Sequence, residues 1–416
     1  MEESIDRISN LPDDIIDHIL SFLDMKYVVR TSLLSSGWKD TWTSVSTLYF
    51  CTSEFMSSET KEVLPFVRFL DRVLMYKGLS SIEEFHLYWD NKSNEIAKNL
   101  DTWIIVALKH SVQRLTIEIE YNENLTFRPP HRLFKFSSLT SLVLDFNGSQ
   151  VVLPDSMCLP RVEYLDLCNI RIDDVKILNK LLSSCPVLED LILRDIVARN
   201  TDGVSVIESS HLQYLEIVTC NMAKIFKLST PSLESFICTD YMIQEYSLGN
   251  LPSLVTVSIN MVIKKIEAEE EGDAIEEKLY PEHMMKYLTA VNNVEKLTLL
   301  SDVFQSNVAE DGEVGLLSCG LSHLKYIEIK GMKGCDNELK FVGLVLKEAV
   351  VLEEMDLCFS NPEGSPDATE SPDESNLIEK YIRKLRALPN VQKFIGKLRA
   401  LTNVSSCSIM LILSSE

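Results

Sequence analysis

A six-residue pattern of apolar and polar positions recurs along most of the 416-residue chain. It reads apolar-x-x-apolar-x-apolar, as in VEYLDL at residue 162, and eleven copies begin at residues 82, 112, 139, 162, 188, 212, 233, 254, 294, 324 and 352. Successive copies start 21 to 40 residues apart. A recurring unit of this length is typical of repeat proteins, in which each unit packs on the next and the units bury one continuous core.

The alternation inside each copy predicts a short β-strand with one buried face, because strand side chains point alternately to two sides. Strands stacked in register would form a parallel sheet, with helices such as VKILNKLLSSCPVLED (175–190) outside it, and IMLIL at 409–413 predicts one further strand. This layout resembles a leucine-rich-repeat solenoid, which forms a horseshoe. The ninth repeat position, Asn or Cys in that family, is met by Asn147 and Cys220 but by Ile or Val in three other copies. We therefore expect an irregular solenoid.

The N-terminal segment LPDDIIDHILSFLDMKYVVRTSLLSSGWKDTW (11–42) predicts three short helices. Pro12 suits the first helical position, where its missing N–H costs nothing. Asp13 and Asp14 would lie at the positive end of the helix dipole. The apolar residues that follow form a stripe about two residues wide: Ile15, Ile16, Ile19, Leu20 and Leu23.

Polar residues indicate where the next two helices begin. Asp24 is placed to cap the second helix, and Ser35 or Ser36 is placed to cap a third that carries Trp38 and Trp42 one turn apart. Three helices in about 40 residues bury little surface by themselves. The apolar stripe therefore needs a cover, which is either a partner protein or the following domain of the same chain.

The balance of charge argues against two classes of partner. The chain has 40 basic and 62 acidic residues, a net charge of −22, so we expect neither nucleic acid nor an anionic membrane as a partner. The start MEESIDRISN lacks the apolar core of a secretory signal, and no apolar run approaches the ~20 residues of a membrane span. Ten cysteines without a C-x-x-C pair favour free thiols in the cytoplasm and/or nucleus over disulfides or a zinc site.

Recognisable catalytic motifs do not occur in the sequence. The seven histidines lack metal-ligand spacing, and GxGxxG, GxxxxGK[ST] and GxSxG are missing. Cys220 or Cys358 as a nucleophile would need an oriented histidine, and the sequence indicates none. We therefore expect no enzyme activity, no catalytic residue, no metal and no cofactor.

Residues 11–42 resemble an F-box. The likeness rests on Leu11-Pro12, the apolar stripe, the Val28-Val29 pair, LLSSGW for the family's Leu-Ser-x-x-Trp, and Trp42. An F-box is half of an interface with the Skp-type adaptor of cullin–RING ubiquitin ligases, so the resemblance implies that partner. It implies six adaptor-contacting residues, the first two at the leading edge: Leu11, Pro12, Ile15, Ile19, Leu20 and Trp38. Ser36-Gly37 depart from the family, which usually has a basic residue here, and Gly37 lowers helix propensity by about 1 kcal/mol relative to Ala.

Residues 321–359 resemble the FBD module that follows leucine-rich repeats in a large plant family. Together the resemblances predict an α/β chain of three parts: a three-helix F-box at 1–50, leucine-rich repeats at 51–317 and an FBD module at 318–416. SNPEGSPDATESPDESN at about 360–376 has the Pro, Ser and acid content of a disordered loop.

The order of F-box, repeats and FBD implies the substrate-recognition subunit of a Skp–cullin–F-box (cullin–RING) E3 ubiquitin ligase. The F-box would dock to the adaptor, the repeats would bind an unidentified target protein, and transfer chemistry would take place on other subunits. The alternative is a non-ligase leucine-rich-repeat scaffold whose F-box is degenerate or packs internally. Binding to a Skp-type adaptor would separate the two hypotheses.

The open face, formed by the third, fifth and seventh residues of each repeat on the concave side of the expected horseshoe, is the predicted target site. These positions hold nine acidic and four basic residues. Neighbouring strands are about 4.8 Å apart, so five side chains on three consecutive strands would form one patch about 10 Å across: Tyr164, Asp190, Arg194, Tyr214 and Glu216. This composition suits a basic or tyrosine-complementary peptide better than a phosphate-rich ligand. The alternative is that these side chains only solvate the sheet.

Overall fold

The structure is a computed structural model that describes residues 11–55, 62–78, 80–91, 95–120, 126–223, 225–241, 245–249, 251–262, 293–300, 321–333, 336–360 and 408–414. The predicted acidic loop lies, beyond Ser360, outside these residues. In the described part of the chain, no helix has the length and apolarity that a membrane crossing requires.

The described elements alternate between short strands and connecting helices or turns. The helices are α1 (Asp13–Leu20), α2 (Met25–Arg30), α3 (Thr52–Phe55), α4 (Leu64–Tyr76), α5 (Glu95–Lys109), α6 (Val175–Ser183) and α7 (Asp336–Glu348), with 3-10 helices at Thr31–Leu33, Ser36–Trp38, Thr41–Thr43 and Leu133–Lys135. The strands are β1 (Thr47–Cys51), β2 (Glu84–Trp89), β3 (Arg114–Ile119), β4 (Thr126–Phe127), β5 (Ser141–Val151), β6 (Tyr164–Asp174), β7 (Asp190–Arg194), β8 (Val197–Asn200), β9 (Val204–Glu208), β10 (Tyr214–Val218), β11 (Ile225–Ser229), β12 (Ser235–Tyr241), β13 (Glu245–Leu248), β14 (Thr256–Val262), β15 (Lys296–Leu300), β16 (Tyr326–Met332), β17 (Glu354–Ser360) and β18 (Ser408–Ser414).

All eleven predicted repeat strands are confirmed, and each begins at the third residue of its pattern. The copy at 82, for example, gives β2, whose side chains are alternately half-buried and buried. The apolar run at 409–413 forms β18, as predicted. The structure adds six strands that the pattern did not predict: β1, β4, β8, β9, β11 and β13.

The chain divides into two compact units, residues 1–205 with 220–223, and residues 206–219 with 224–416. In the first unit, parallel pairing follows the order β1-β2-β3-β5-β6-β7, with β4 beside β5 and β8 beside β6. In the second unit the order is β10-β12-β14-β15-β16-β17-β18, also parallel, and β11 pairs with β13. Parallel pairing between successive repeats is the arrangement that the sequence predicted.

An aromatic cluster fills the core of the first unit between the sheet and its helices. Five rings from β1, β2, α4 and α5 are each at most 1% exposed: Phe50, Phe66, Phe85, Trp89 and Trp103. Ring centroids are 5.7 Å apart for Phe50 and Phe85, and 6.0 Å apart for Phe66 and Trp89. Such rings bury large apolar areas, and this packing holds α4 and α5 against the strands.

The predicted three-helix F-box is confirmed for its first two helices and corrected for the third. Asp24 caps α2 as expected, since its carboxylate accepts a hydrogen bond from the Lys26 N–H at 2.7 Å. In place of a third α-helix the chain forms two 3-10 turns, at Ser36–Trp38 and Thr41–Thr43. Serine and glycine are weak helix formers, so the Ser-Ser-Gly run does not sustain an α-helix here. Pro12 also lies one position earlier than expected, at the N-cap of α1.

Lys77 joins the end of α4 to the segment before β1. The residue is 2% exposed, and its Nζ donates to the backbone oxygen of Val45 and, at 3.2 Å, to that of Thr43. Burial lowers the pKa of Lys77 to about 8, because a low-dielectric interior disfavours the charged ammonium. A neutral amine keeps two N–H donors, so both carbonyl contacts survive deprotonation.

We expect the stability of the first unit to rise with pH through Lys77. The folded pKa is about 8 and the unfolded value is 10.5, so the unfolded state binds the extra proton between these pH values. Relative to Lys77→Met, which does not titrate, the wild-type unfolding free energy should increase by about 1–3 kcal/mol between pH 7 and pH 10. Urea denaturation of both proteins at the two pH values measures this, and a pH-independent difference would contradict it.

Candidate functional site

Helix α1 divides the predicted apolar stripe between an inner and an outer side. Ile16 and Leu20 are buried, at 6% and 1% exposure. Ile15 and Ile19 are 46% and 43% exposed, and Phe22 in the following turn is 75% exposed. Positions i, i+4 and i+7 fall on one side of a helix. With the exposed Pro12, these residues form what we call the exposed stripe: Pro12, Ile15, Ile19 and Phe22.

Two residues of the predicted adaptor contact lie in the interior instead. Leu20 is 1% and Trp38 is 3% exposed, so both pack within the F-box segment in this structure, and their part in the adaptor contact stays a prediction. Leu11 is half-buried and stays accessible. Sequence reasoning also missed Leu33 and Leu34, which are 85% and 62% exposed. They are the first two residues of the LLSSGW motif, and this motif was the sequence signal that could have identified them.

Hydrogen bonds fix the inner side of the F-box segment to the repeats. The second carboxylate oxygen of Asp24 accepts from the Cys51 N–H of β1 at 2.8 Å. The Lys26 Nζ donates to the backbone oxygen of Glu54 at 2.5 Å. Burial raises the pKa of Asp24, while the two backbone N–H donors act in the opposite direction. The segment therefore packs on its own chain by one side and exposes apolar side chains on the other.

The open face is present in both units as rows of half-buried polar side chains. On β2, Glu84, His86 and Tyr88 are half-buried and alternate with fully buried residues. Three of the four predicted basic residues lie beside carboxylates of the same face. These pairs, with their N···O distances, are Arg114–Glu84 at 3.1 Å, Arg194–Asp166 at 3.3 Å and Lys330–Glu328 at 3.4 Å. Their positive charge is therefore largely balanced within the face.

The five residues of the predicted target patch are divided between the two units. In the first unit, Tyr164 and Asp190 are register partners on β6 and β7, and Arg194 follows on β7. Burial raises the pKa of Asp190. In the second unit, the Tyr214 hydroxyl donates to Glu216 at 2.7 Å on β10. All five side chains are half-buried on the open face, and their role in target binding stays a prediction.

The two cysteines considered as nucleophiles, Cys220 and Cys358, are both buried. Cys220 is fully buried and its thiol donates to the backbone oxygen of Leu193 at 3.3 Å. Burial raises the pKa of Cys358 to about 11, so its thiol stays protonated at neutral pH. Across the described ranges, no three His, Cys, Asp or Glu side chains come together in a way that could hold a metal ion.

Three family models match the sequence, in the predicted order. The F-box domain model matches residues 8–49. A model described as the LRR repeats of FBD-associated F-box protein At5g56370 matches residues 100–271. The FBD model matches residues 313–357.

Similar proteins occur in Arabidopsis thaliana. FBD-associated F-box protein At4g10400 is 33% identical over 267 residues, which cover 64% of this chain and 63% of that protein. F-box protein At4g09920 is 32% identical over 266 residues, covering 62% and 81% of the two chains. F-box/FBD/LRR-repeat protein At1g78750 is 23% identical over 423 residues, covering 86% and 90%. The chain thus spans less than two thirds of the first of these relatives.

The matched models agree with the structure. The F-box match contains α1, α2 and the exposed stripe, the LRR match spans the parallel strands from β3 to β14, and the FBD match contains β16, α7 and most of β17. Burial, strand pairing and sequence similarity therefore lead to one assignment. The chain belongs to the plant F-box/FBD/LRR-repeat family.

Proposed function

We propose that the chain is the substrate-recognition subunit of a Skp–cullin–F-box E3 ubiquitin ligase. The exposed stripe binds a Skp-type adaptor, the open face binds a target protein, and ubiquitin transfer takes place on other subunits of the complex. F-box proteins are in general non-catalytic substrate receptors, and this proposal gives the chain the same role. The cytoplasm or the nucleus is the proposed location, and the seven described cysteines, all free thiols, suit such a reducing compartment.

The exposure of Ile15 and Ile19 beside the buried Ile16 is the observation that carries the proposal. Burying an apolar side chain is worth roughly 1.5–3 kcal/mol, so leaving several of them in water on one helix is unfavourable without a partner. An adaptor that covers the exposed stripe recovers this free energy. Because Asp24 and Lys26 hold the inner side of the segment, binding needs no rearrangement of the F-box core.

The acidity of the open face supports a basic target segment. Arg114 and Arg194 lie in ion pairs with carboxylates of the same face, so they are poorly available to an anionic ligand. Half-buried tyrosines, among them Tyr164 and Tyr326, supply aromatic anchors of the kind that is enriched at binding hot spots. A peptide with lysine or arginine side chains meets both conditions.

We expect Leu11→Ala with Pro12→Ala to weaken adaptor binding by on the order of a hundredfold, because two apolar contacts at the edge of the interface are lost. Titration of the full chain with a Skp-type adaptor measures this. Val350→Ala with Val351→Ala is the matched control, since both valines are exposed, at 78% and 44%. Equal adaptor affinity of the Leu11/Pro12 variant and the wild type would sink the assignment and favour the scaffold alternative.

Substitutions at two neighbouring residues of α1, Ile19 and Leu20, distinguish a role in the adaptor interface from a role in the core. Ile19→Ala should weaken adaptor binding roughly tenfold and change stability little, since Ile19 is 43% exposed. Leu20→Ala should destabilise the first unit by about 2–5 kcal/mol, because Leu20 is 1% exposed. Calorimetric unfolding and adaptor titration of both variants give the comparison. The reverse pattern would show that α1 presents its other side to the adaptor.

We expect Asp190→Lys with Glu216→Lys to abolish target capture while adaptor binding is retained. The substitutions replace acids with bases on the half-buried open face, which repels a basic segment. Proximity labelling compares the captured proteins with those of the wild type. Glu189→Lys with Glu234→Lys is the control, because it makes the same change in charge at exposed positions off this face. An unchanged set of captured proteins would place target binding elsewhere.

A further inference from the structure

A cavity of about 430 Å³ lies where the F-box segment meets the first three strands of the first unit. Its volume is in the range of about 300–1,000 Å³ found for small-ligand sites. The lining residues come from the α1–α2 turn, α2, β1, α3, β2 and β3: Phe22, Leu23, Asp24, Tyr27, Tyr49, Cys51, Glu54, Tyr88 and Glu118. Four of these nine residues are aromatic, three carry carboxylates, and none is Lys, Arg or His.

Strand register sets the floor of the cavity. Cys51, Tyr88 and Glu118 are successive register partners on β1, β2 and β3, so their side chains lie in one row about 4.8 Å apart. The Tyr88 hydroxyl donates to Glu120, which orients its ring. The ring of Tyr49 packs edge-on against His86, with centroids 4.7 Å apart. Burial raises the pKa of Tyr49 to about 12, so this ring remains a neutral phenol.

Tyr27 of the F-box segment and Glu54 of α3 supply another wall of the cavity. The Tyr27 hydroxyl donates to a carboxylate oxygen of Glu54 at 3.3 Å. Two cations of the chain already lie near the Tyr27 ring, with Lys26 Nζ 5.6 Å and Arg30 Cζ 5.8 Å from its centroid. The Tyr27 ring is therefore already occupied by cations of the chain, and a ligand cation is left to the rings of Tyr49 and Tyr88.

Aromatic rings and carboxylates together favour one class of ligand. The face of an aromatic ring is electronegative and attracts a cation. Nearby carboxylates add Coulomb attraction, which strengthens where water is excluded. Phosphates and carboxylates are repelled by the same groups. The cavity of about 430 Å³ is large enough for an alkyl chain with its charged head.

We propose that this cavity binds an alkylammonium group, as carried by a lysine or methylated lysine side chain. The rings of Tyr49 and Tyr88 surround the charged head, and Glu118, whose carboxylate also lies 3.4 Å from the His86 Nε2, balances its charge. Such a site is separate from the exposed stripe in all but Phe22, and it lies on the open face, to which Tyr88 and Glu118 belong and along which a basic target segment would run. It goes beyond the proposed ligase role, since it names a ligand chemistry and a place for it.

The test titrates the full chain with an N-acetyl-trimethyllysine methylamide probe and follows binding by ligand-observed NMR. The control ligand is the neutral carbon isostere, in which a tert-butyl group replaces the trimethylammonium head. A cation-dependent site binds the charged probe about tenfold or more tightly than the isostere. Two further titrations use a lysine-containing peptide and free spermidine. The ligand that binds more tightly identifies whether the natural source is a protein or a free amine.

Variants keep the test specific to the cavity. Tyr88→Leu removes a ring and should weaken probe binding about tenfold, whereas Tyr88→Phe keeps the ring and should change it less than threefold. Glu118→Gln should weaken it by about threefold to tenfold through lost charge. Tyr76→Leu, at an exposed tyrosine of α4 outside the cavity, is the matched control and should have no effect.

Three results would overturn the proposal: no binding of any amine, equal binding of the charged probe and its neutral isostere, or full binding by Tyr88→Leu. Adaptor titration of Tyr88→Leu is the check on folding and on the ligase role. Normal adaptor affinity with lost probe binding supports the cavity site. If the wild-type chain binds the adaptor normally but binds the charged probe no better than its neutral isostere, the cavity proposal is wrong and the proposed function stands.

Discussion

The first strand of a parallel sheet has one side without a neighbouring strand, and the backbone groups near it must find other partners. In this chain those partners are side chains. The Asp24 carboxylate accepts from the Cys51 N–H of β1, and the Lys26 ammonium donates to the backbone oxygen of Glu54. Lys77 donates to the backbone oxygens of Thr43 and Val45, which precede the strand. Breaking the buried contacts of Asp24 or Lys77 would leave a buried polar group without a partner, at about 1–3 kcal/mol each.

This anchoring explains why the F-box segment has two unlike sides. Asp24 and Lys26 hold one side of the segment against β1 and α3. Only the inner half of the apolar stripe, which consists of Ile16 and Leu20, is therefore buried. The outer half remains in water as the exposed stripe. An adaptor on that stripe and a target on the open face would contact different residues, so the two binding events do not compete for the same side chains.

The repeat pattern was predictable because each strand obeys two local rules at once. Alternation sets which residues are buried, and the pairing of each repeat with the next sets the register, so the third residue of every pattern begins a strand. β1 follows the same rule, since Val45, Leu48 and Phe50 have the repeat spacing, and it could have been found. The division of the apolar stripe into a buried and an exposed side could not have been predicted. All of its residues on α1 are apolar, and only tertiary packing decides which of them face inward. These residues are Ile15, Ile16, Ile19 and Leu20. The cavity joins residues from 22 to 118, a juxtaposition that no local pattern encodes.

Amide hydrogen exchange of the full chain, with and without a Skp-type adaptor, tests the central claim most directly. The anchoring of the inner side predicts that the adaptor slows exchange in residues 11–23, which contain α1 and the exposed stripe, and leaves the strands from β2 to β7 unchanged. Protection that avoids residues 11–23, or that falls on the strands instead, would contradict the account, since the outer side of α1 would then not be the surface that the adaptor covers.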